Sequence, residues 1–182
     1  MCMWQCAAEY LRHLLDRLSR SELQHGLPPT ADMFRFEVEK RTACSIDGAV
    51  KYSVQPGDTV LTLNNLPMDK AVWPEPTAKK MKSGEEEEPP APIPRLGIDA
   101  ILDNFVAPTA IEDMEWEHIG MRAEGAATLG MKNFPEYLMI QVNKVEVDEA
   151  TWSLKKLKVD VAMPETLDLT KYRAAKVSAS LP

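Results

Sequence analysis

Met33-Phe-Arg-Phe-Glu-Val-Glu-Lys40 alternates apolar and charged side chains: Phe34, Phe36 and Val38 fall on one side, Arg35, Glu37 and Glu39 on the other. A period of two belongs to a strand with one face buried and one face wet. Further on, Asp47-Gly48 is a dipeptide favoured in tight hairpin turns, because both residues tolerate positive φ. Val50, Tyr52 and Val54 then resume the alternation. Two antiparallel strands follow from this pattern. Pro56-Gly57 reads as the next turn, and Thr59-Val-Leu-Thr-Leu-Asn-Asn-Leu66 as a third strand, so residues 33–66 form a run of strands.

Upstream the period changes to that of a helix. Trp4, Ala7, Ala8, Leu11, Leu14, Leu15 and Leu18 recur at steps of three and four and make one apolar stripe. Arg12, Asp16, Arg17 and Arg20 lie off it, and Glu9 stands one turn from Arg12 and His13. The helix runs from about Gln5 to Leu23, within an element of residues 5–25 that Gly26 and Pro28-Pro29 close.

Downstream, residues 74–94 hold six of the fourteen prolines, the Lys79-Lys80-Met81-Lys82 cluster and the run Glu85 to Glu88. Such a stretch buries too little apolar surface to offset its ordering entropy. It reads as a mobile excursion inside one domain, since neither side closes a sheet alone. Residues 97–172 return to regular patterning. Ile98, Ile101, Leu102 and Phe105 make a short amphipathic helix that stops near Pro108, and Glu112 to Glu117 form an acidic patch around Met114 and Trp116. The segment from Phe134 to Val147 has a continuous apolar centre, as a central strand covered on both faces would. Leu157, Val159 and Val161 alternate with Lys158 and Asp160, which predicts a strand with one wet face. After Tyr172 the tail is small and polar and is expected to fray. The fold class is α+β with a dominant antiparallel sheet.

Composition narrows the function. The chain has 182 residues, 45% of them hydrophobic, enough for one domain with an ordinary core. Three cysteines are too few for a disulfide scaffold. The most apolar stretch, around Tyr137 to Val142, is far short of a membrane span. Met1-Cys-Met-Trp-Gln5 lacks the basic start of a signal peptide, so a reducing compartment, cytoplasm or nucleus, is expected. The balance of 21 basic against 28 acidic residues, net -7, argues against a nucleic-acid partner.

The candidates for nucleophile and base are Cys2, Cys6 and Cys44 with His13, His25 and His118. Cys6 and His13 share a helix face but lie about 10.5 Å apart along the axis, too far for proton transfer. None of the other pairs carries a local signature. Cys44 stands alone, and Cys2 with Cys6 offers two metal ligands with nothing nearby to complete four. Phosphate-binding and dinucleotide loops are missing as well. The reading is therefore no catalytic residue, no metal and no cofactor.

Four stretches together resemble one enzyme family. Gln5-Cys-Ala-Ala-Glu-Tyr-Leu11 followed by His13-Leu-Leu-Asp16 looks like the Q-x-D-A-x-E-[FY] helix of ubiquitin-specific proteases. Phe36 to Cys44 resembles the first fingers strand of their isopeptidase T branch, and Leu96 to Asp113 its "LEACL…F…IED" helix. Asn133 to Lys144 and Trp152 to Leu169 resemble its "FPDYLVIQIKKF" and "WVPKKLDVxIxMPExLDI" segments, in the same order and at similar spacing. The resemblance implies the middle of a papain-like catalytic domain, an antiparallel sheet of fingers and palm with an N-terminal helix, whose cysteine and histidine boxes lie outside these segments. By itself such a chain would be inactive. It also implies ubiquitin or polyubiquitin as partner, with Gln5 and Glu9 holding the basic ubiquitin tail. Cys6 replaces the aspartate of that helix motif, Val145 replaces the closing aromatic of the "KKF" strand, and the two cysteine pairs that hold zinc in many relatives reduce to Cys44. The alternatives are a ubiquitin-binding adaptor without chemistry and a non-functional truncated copy.

Overall fold

The structure is a computed structural model that describes residues 7–74, 92–148 and 151–174. Helix α1 spans Ala7–Gln24 and α2 spans Ile98–Val106. The strands are β1 (Phe36–Cys44), β2 (Val50–Asp58), β3 (Val60–Leu63), β4 (Arg95–Gly97) and β5 (Thr109–Trp116), then β6 (Met121–Met131), β7 (Met139–Val142), β8 (Val145–Asp148), β9 (Ser153–Lys156) and β10 (Asp160–Ala162). The excursion expected at 74–94 lies almost wholly outside the described residues, as do Cys2, Gln5, Cys6 and the tail beyond Ala174.

Four strands in the order β2-β1-β6-β5 make the main sheet, and all its pairings are antiparallel. The hairpin expected at Asp47-Gly48 joins β1 to β2. Gly48 takes φ +73°, and the Asp47 carboxylate accepts the Ala49 N–H. Pro56-Gly57 does not turn the chain: both residues sit inside β2, where the register against β1 slips between Phe36 and Val38. A proline is tolerated there because β2 is an edge strand and owes the ladder no second row of donors.

The other half of the sheet was not anticipated. The acidic patch at Glu112 to Glu117 lies in β5 and the turn after it, and β6 carries no alternating signal because it is built from small residues. Those small residues permit close passage. A Cβ on Gly125 would lie 2.7 Å from the Ala43 carbonyl oxygen and 3.1 Å from the Trp116 ring; one on Gly130 would lie 2.6 Å from the Ala174 Cα.

Three two-stranded pairs complete the fold, and each corrects an expectation. The strand after Thr59 leaves the main sheet: β3 pairs in parallel with β7. Val60, Leu61 and Leu63 are buried, as suits a strand covered on both faces. The long central strand expected from Phe134 to Val147 breaks in two, because the Asn143 side chain accepts the Val145 N–H and turns the backbone between β7 and β8. The strand expected over Leu157 to Val161 shortens to β10, which runs parallel to β4, while β9 lies upstream of it and returns against β8. The alternation around Val159 is nevertheless correct, with Val159 buried and its charged neighbours exposed.

The core lies between the sheet and α2. Ile98, Ile101 and Leu102 are the buried face of α2, and they pack with Leu63, Met131 and Tyr172 in one cluster. Lys171 and Asp103 meet at 2.8 Å and tie the turn that carries Tyr172 to this helix. Beyond it the chain does not fray at once: the Ala174 N–H donates to the Met131 carbonyl, and the Arg173 guanidinium lies over the Phe134 ring. Among the described residues no helix is long and apolar enough to cross a membrane.

Gly125→Ala forces a methyl group against a backbone oxygen that cannot swing away. It is expected to lower stability by about 1–3 kcal/mol, the usual range for overpacking. Thermal unfolding followed by far-UV circular dichroism checks this; an unchanged Tm would mean the β1–β6 approach is looser than described.

Candidate functional site

Helix α1 is half sunk. Ala8 and Leu15 are buried, whereas Leu14 and Leu18 from the same stripe are exposed. With so little apolar burial, polar contacts must fix its position. Arg12, which the periodicity places off the stripe, supplies them. Its Nε and Nη2 donate to the two Asp58 carboxylate oxygens at 3.0 Å each, and Nη2 also reaches the Val60 carbonyl at 3.1 Å and Thr62 Oγ1 at 3.2 Å. Thr62 in turn faces Gln141 on β7. One guanidinium thus joins α1 to the end of β2 and to β3.

Burial pushes the Asp58 carboxyl up, but hydrogen bonds from Arg12 and from the Thr59 and Val60 N–H groups outweigh it and hold the pKa below its ordinary value. At the far end of α1, Gly26 at φ +71° closes the helix, with the Leu27 N–H donating to the Glu22 carbonyl and the Gly26 N–H to that of Leu23. The Glu22 carboxylate accepts from both the N–H and the hydroxyl of Thr30, so the chain leaving the helix is fixed as well.

Glu9 lies in the first turn of this clamped helix and is exposed. A carboxylate there complements the positive end of the helix dipole. Gln5 lies outside the described residues. Arg12, Asp58 and Thr62 form the joint that aims Glu9, and no local pattern marked them, since Arg12 and Asp58 are 46 positions apart.

Among the described residues no histidine is placed against a cysteine. His13 is exposed on α1, and His25 Nδ1 lies 2.7 Å from the Ser21 carbonyl oxygen at the end of the helix. Cys44 and His118 do come near each other, at the tip of the main sheet, through Asp47. His118 Nε2 is 2.6 Å from Asp47 Oδ2, and the Cys44 thiol reaches the same carboxylate. The group against the thiol is thus a carboxylate rather than an imidazole. Cys44 is also only 4% exposed, which closes it to a substrate. Among the described residues no group of three or more His, Cys, Asp or Glu is placed to hold an ion. The residues present do not fit zinc, because Asp47 is already taken by the Ala49 N–H and by His118 and only one sulfur is at hand. Those two hydrogen bonds, the Ala49 N–H first, hold the Asp47 carboxyl below its ordinary value. Ser45 adds two bonds to the Glu124 carbonyl, through its N–H and its hydroxyl, so the β1–β2 turn is stitched to β6.

A clamped helix, a four-stranded antiparallel sheet with a hydrogen-bonded tip and two short parallel pairs make up an α+β scaffold, and comparison with known proteins gives it a family. The sequence pattern of the family described as "UCH: Ubiquitin carboxyl-terminal hydrolase" matches residues 2–182. The chain belongs to that family. It is 32% identical over 181 residues to ubiquitin carboxyl-terminal hydrolase 13 of Danio rerio, covering 96% of this chain and 20% of that protein. Against ubiquitin carboxyl-terminal hydrolase 5 of Mus musculus it is 30% identical over 175 residues, covering 93% and 20%. The chain thus spans about a fifth of the length of these relatives. Among solved structures, the SAGA Ubp8/Sgf11/Sus1/Sgf73 DUB module bound to ubiquitin aldehyde matches with a TM-score of 0.64 at 14% identity, over 93% of this chain and 33% of that one. At that identity the likeness is one of fold.

Arg12→Lys keeps the charge but loses the planar fork that spans both Asp58 oxygens. It is expected to speed hydrogen exchange of α1 amides about tenfold, a loss of order 1 kcal/mol at a half-exposed pair, while β1 and β6 keep their protection. Equal loss in all three elements would sink the idea of a separate clamp. Acid should act the same way. Because folding lowers the Asp58 and Asp47 pKa values, their stabilisation is complete above the ordinary aspartate range. It is lost as pH falls below about 4 through the lowered values. Exchange of α1 amides measured from pH 6 down to pH 3, corrected for the intrinsic rate, checks the sign.

Proposed function

We propose that this chain grips ubiquitin as part of a cysteine-type deubiquitinase of the isopeptidase T kind. The reaction of the whole enzyme is hydrolysis of ubiquitin isopeptide bonds and disassembly of unanchored polyubiquitin. None of Cys44, His13, His25 and His118 serves as its nucleophile or base, nor do Cys2 and Cys6 in the first residues. The observation that carries the grip is the Arg12–Asp58 fork, which fixes α1 with Glu9 exposed one turn ahead of it. The hydrolase names of the relatives, and the ubiquitin aldehyde in the Ubp8 module, support ubiquitin as the ligand.

Chemically the role of Glu9 is simple. The ubiquitin tail is basic, and a carboxylate that pairs with a planar Arg fork holds it by two parallel hydrogen bonds. Gln5, four positions earlier in the sequence motif, adds a neutral amide that can donate to a tail carbonyl. Gripping the tail and cutting it are separable tasks, so the main sheet and α1 suffice for the first. The second reading, an adaptor that binds ubiquitin without cleaving it, is favoured by the burial of Cys44 under a carboxylate.

Titration of isotope-labelled ubiquitin with the chain is expected to shift resonances of its C-terminal tail, and Glu9→Lys to weaken binding at least about fivefold, as reversing one partner of a charge-assisted pair should. Silence in the ubiquitin spectrum at high protein concentration would overturn the grip. Ubiquitin carrying a C-terminal electrophile is expected to leave all three cysteines unlabelled. Labelling of any one of them would refute the assignment of no nucleophile.

A further inference from the structure

Strands β3 and β7 run side by side in parallel, and their period of two sorts the side chains into two faces. Leu61 pairs in register with Ile140 and Leu63 with Val142, and these four belong to the core or pack against it. The other face carries Thr62 and Gln141, paired in register and half-buried. One step further the Asn143 side-chain amide donates to Asn64 Oδ1 at 3.0 Å, so polar contacts continue along that face past the end of the strands. This is the face on which Arg12 of α1 arrives.

The protons on that face can run in one direction only. A guanidinium donates and never accepts. Arg12 Nη2 lies 3.2 Å from Thr62 Oγ1, so the hydroxyl oxygen accepts there and its single proton must go elsewhere. Gln141 Oε1, 3.3 Å from the same oxygen, takes it. The order is thus guanidinium to hydroxyl, hydroxyl to amide carbonyl. The two side-chain acceptors of Arg12 are fixed differently. Asp58 is held by backbone N–H groups of its own neighbours, whereas the Thr62 hydroxyl is a rotor whose direction depends on where its proton is received. Without the Gln141 carbonyl the rotor is free to turn its proton toward the guanidinium, and the contact with Nη2 becomes a repulsion.

We infer that Gln141 is a positioning residue: by receiving the Thr62 proton it turns the hydroxyl lone pairs onto Arg12, and so holds α1 at the angle that presents Glu9. The part of this inference that concerns ubiquitin rests on the reading of α1 as the holder of the ubiquitin tail. Gln141 acts through Thr62 and Arg12. It extends the joint from β2 and β3 to β7, a strand contributed by a segment 79 positions beyond Thr62. The inference also accounts for a glutamine in the middle of an otherwise apolar strand, Met139-Ile-Gln-Val142, whose two neighbours pack against the core.

The test uses the full chain and two variants, Gln141→Leu, which removes the acceptor, and Gln141→Glu, which keeps one. Hydrogen exchange of α1 amides reads the position of the helix, and titration of isotope-labelled ubiquitin reads the grip. Gln141→Leu is expected to speed α1 exchange about threefold and to weaken ubiquitin by a similar factor, the effect of one neutral hydrogen bond, while β1 and β6 keep their protection. Gln141→Glu is expected to hold both readouts within about twofold of the unaltered chain, since a carboxylate still accepts the hydroxyl proton. In a Glu9→Ala background Gln141→Leu should weaken ubiquitin no further, because the side chain being aimed is gone; a merely structural glutamine would give additive losses. Additive losses overturn the proposal. So do α1 exchange unchanged by Gln141→Leu and protection lost equally in β1 and β6. If the unaltered chain does not bind ubiquitin, faster α1 exchange in Gln141→Leu with recovery in Gln141→Glu upholds the positioning of the helix and overturns the grip alone.

Discussion

The guanidinium of Arg12 sets the geometry of everything on the helical side of this molecule. A helix with two buried apolar residues has too little hydrophobic contact to choose one orientation over another. A planar fork on a carboxylate restricts orientation in a way a greasy contact does not, because two parallel hydrogen bonds must be aligned at once. Asp58 is itself held by two backbone N–H groups, so the fork closes on an acceptor that cannot swing. That order of constraint, backbone to carboxylate to guanidinium to helix, explains how a side chain in the first turn of α1 is aimed without being buried.

At the opposite end of the sheet the same problem, holding an exposed tip rigid, is met with hydrogen bonds. Asp47 collects the Ala49 N–H, the His118 imidazole and the Cys44 thiol, and Ser45 bonds twice to the Glu124 carbonyl. The clip depends on pH through the Asp47 carboxyl, and it leaves the thiol buried. Trp116 stacks edge-on against His118 and packs on Gly125, so the imidazole is fixed from two sides.

Local chemistry was legible in the sequence, and long-range pairing was not. The end of α1, the Asp47-Gly48 turn and the buried face of α2 follow from periodicity and from glycine, which act within a few residues. Strand β6 escaped because its alanines and glycines serve backbone approach rather than side-chain burial, and close approach leaves no alternation to detect. The apolar run before Asn143 had the composition of a buried strand, but composition does not specify its partner. The parallel pairing of β3 with β7 joins segments 79 positions apart at Thr62 and Gln141. The joint that matters most to the candidate site was the least visible, because Arg12 on a polar helix face is what any soluble helix displays. The family resemblance supplied Glu9, whereas only the coordinates supplied the reason it is held still.

Local consistency between sequence and backbone has a further use where it fails. Gly26, Gly48 and Gly120 occupy positive φ, where no side chain is strained, and they follow the rule. Asn65 is the mild exception its short polar side chain allows. Trp152 is different in kind, since tryptophan gains nothing locally from that conformation and is left in water.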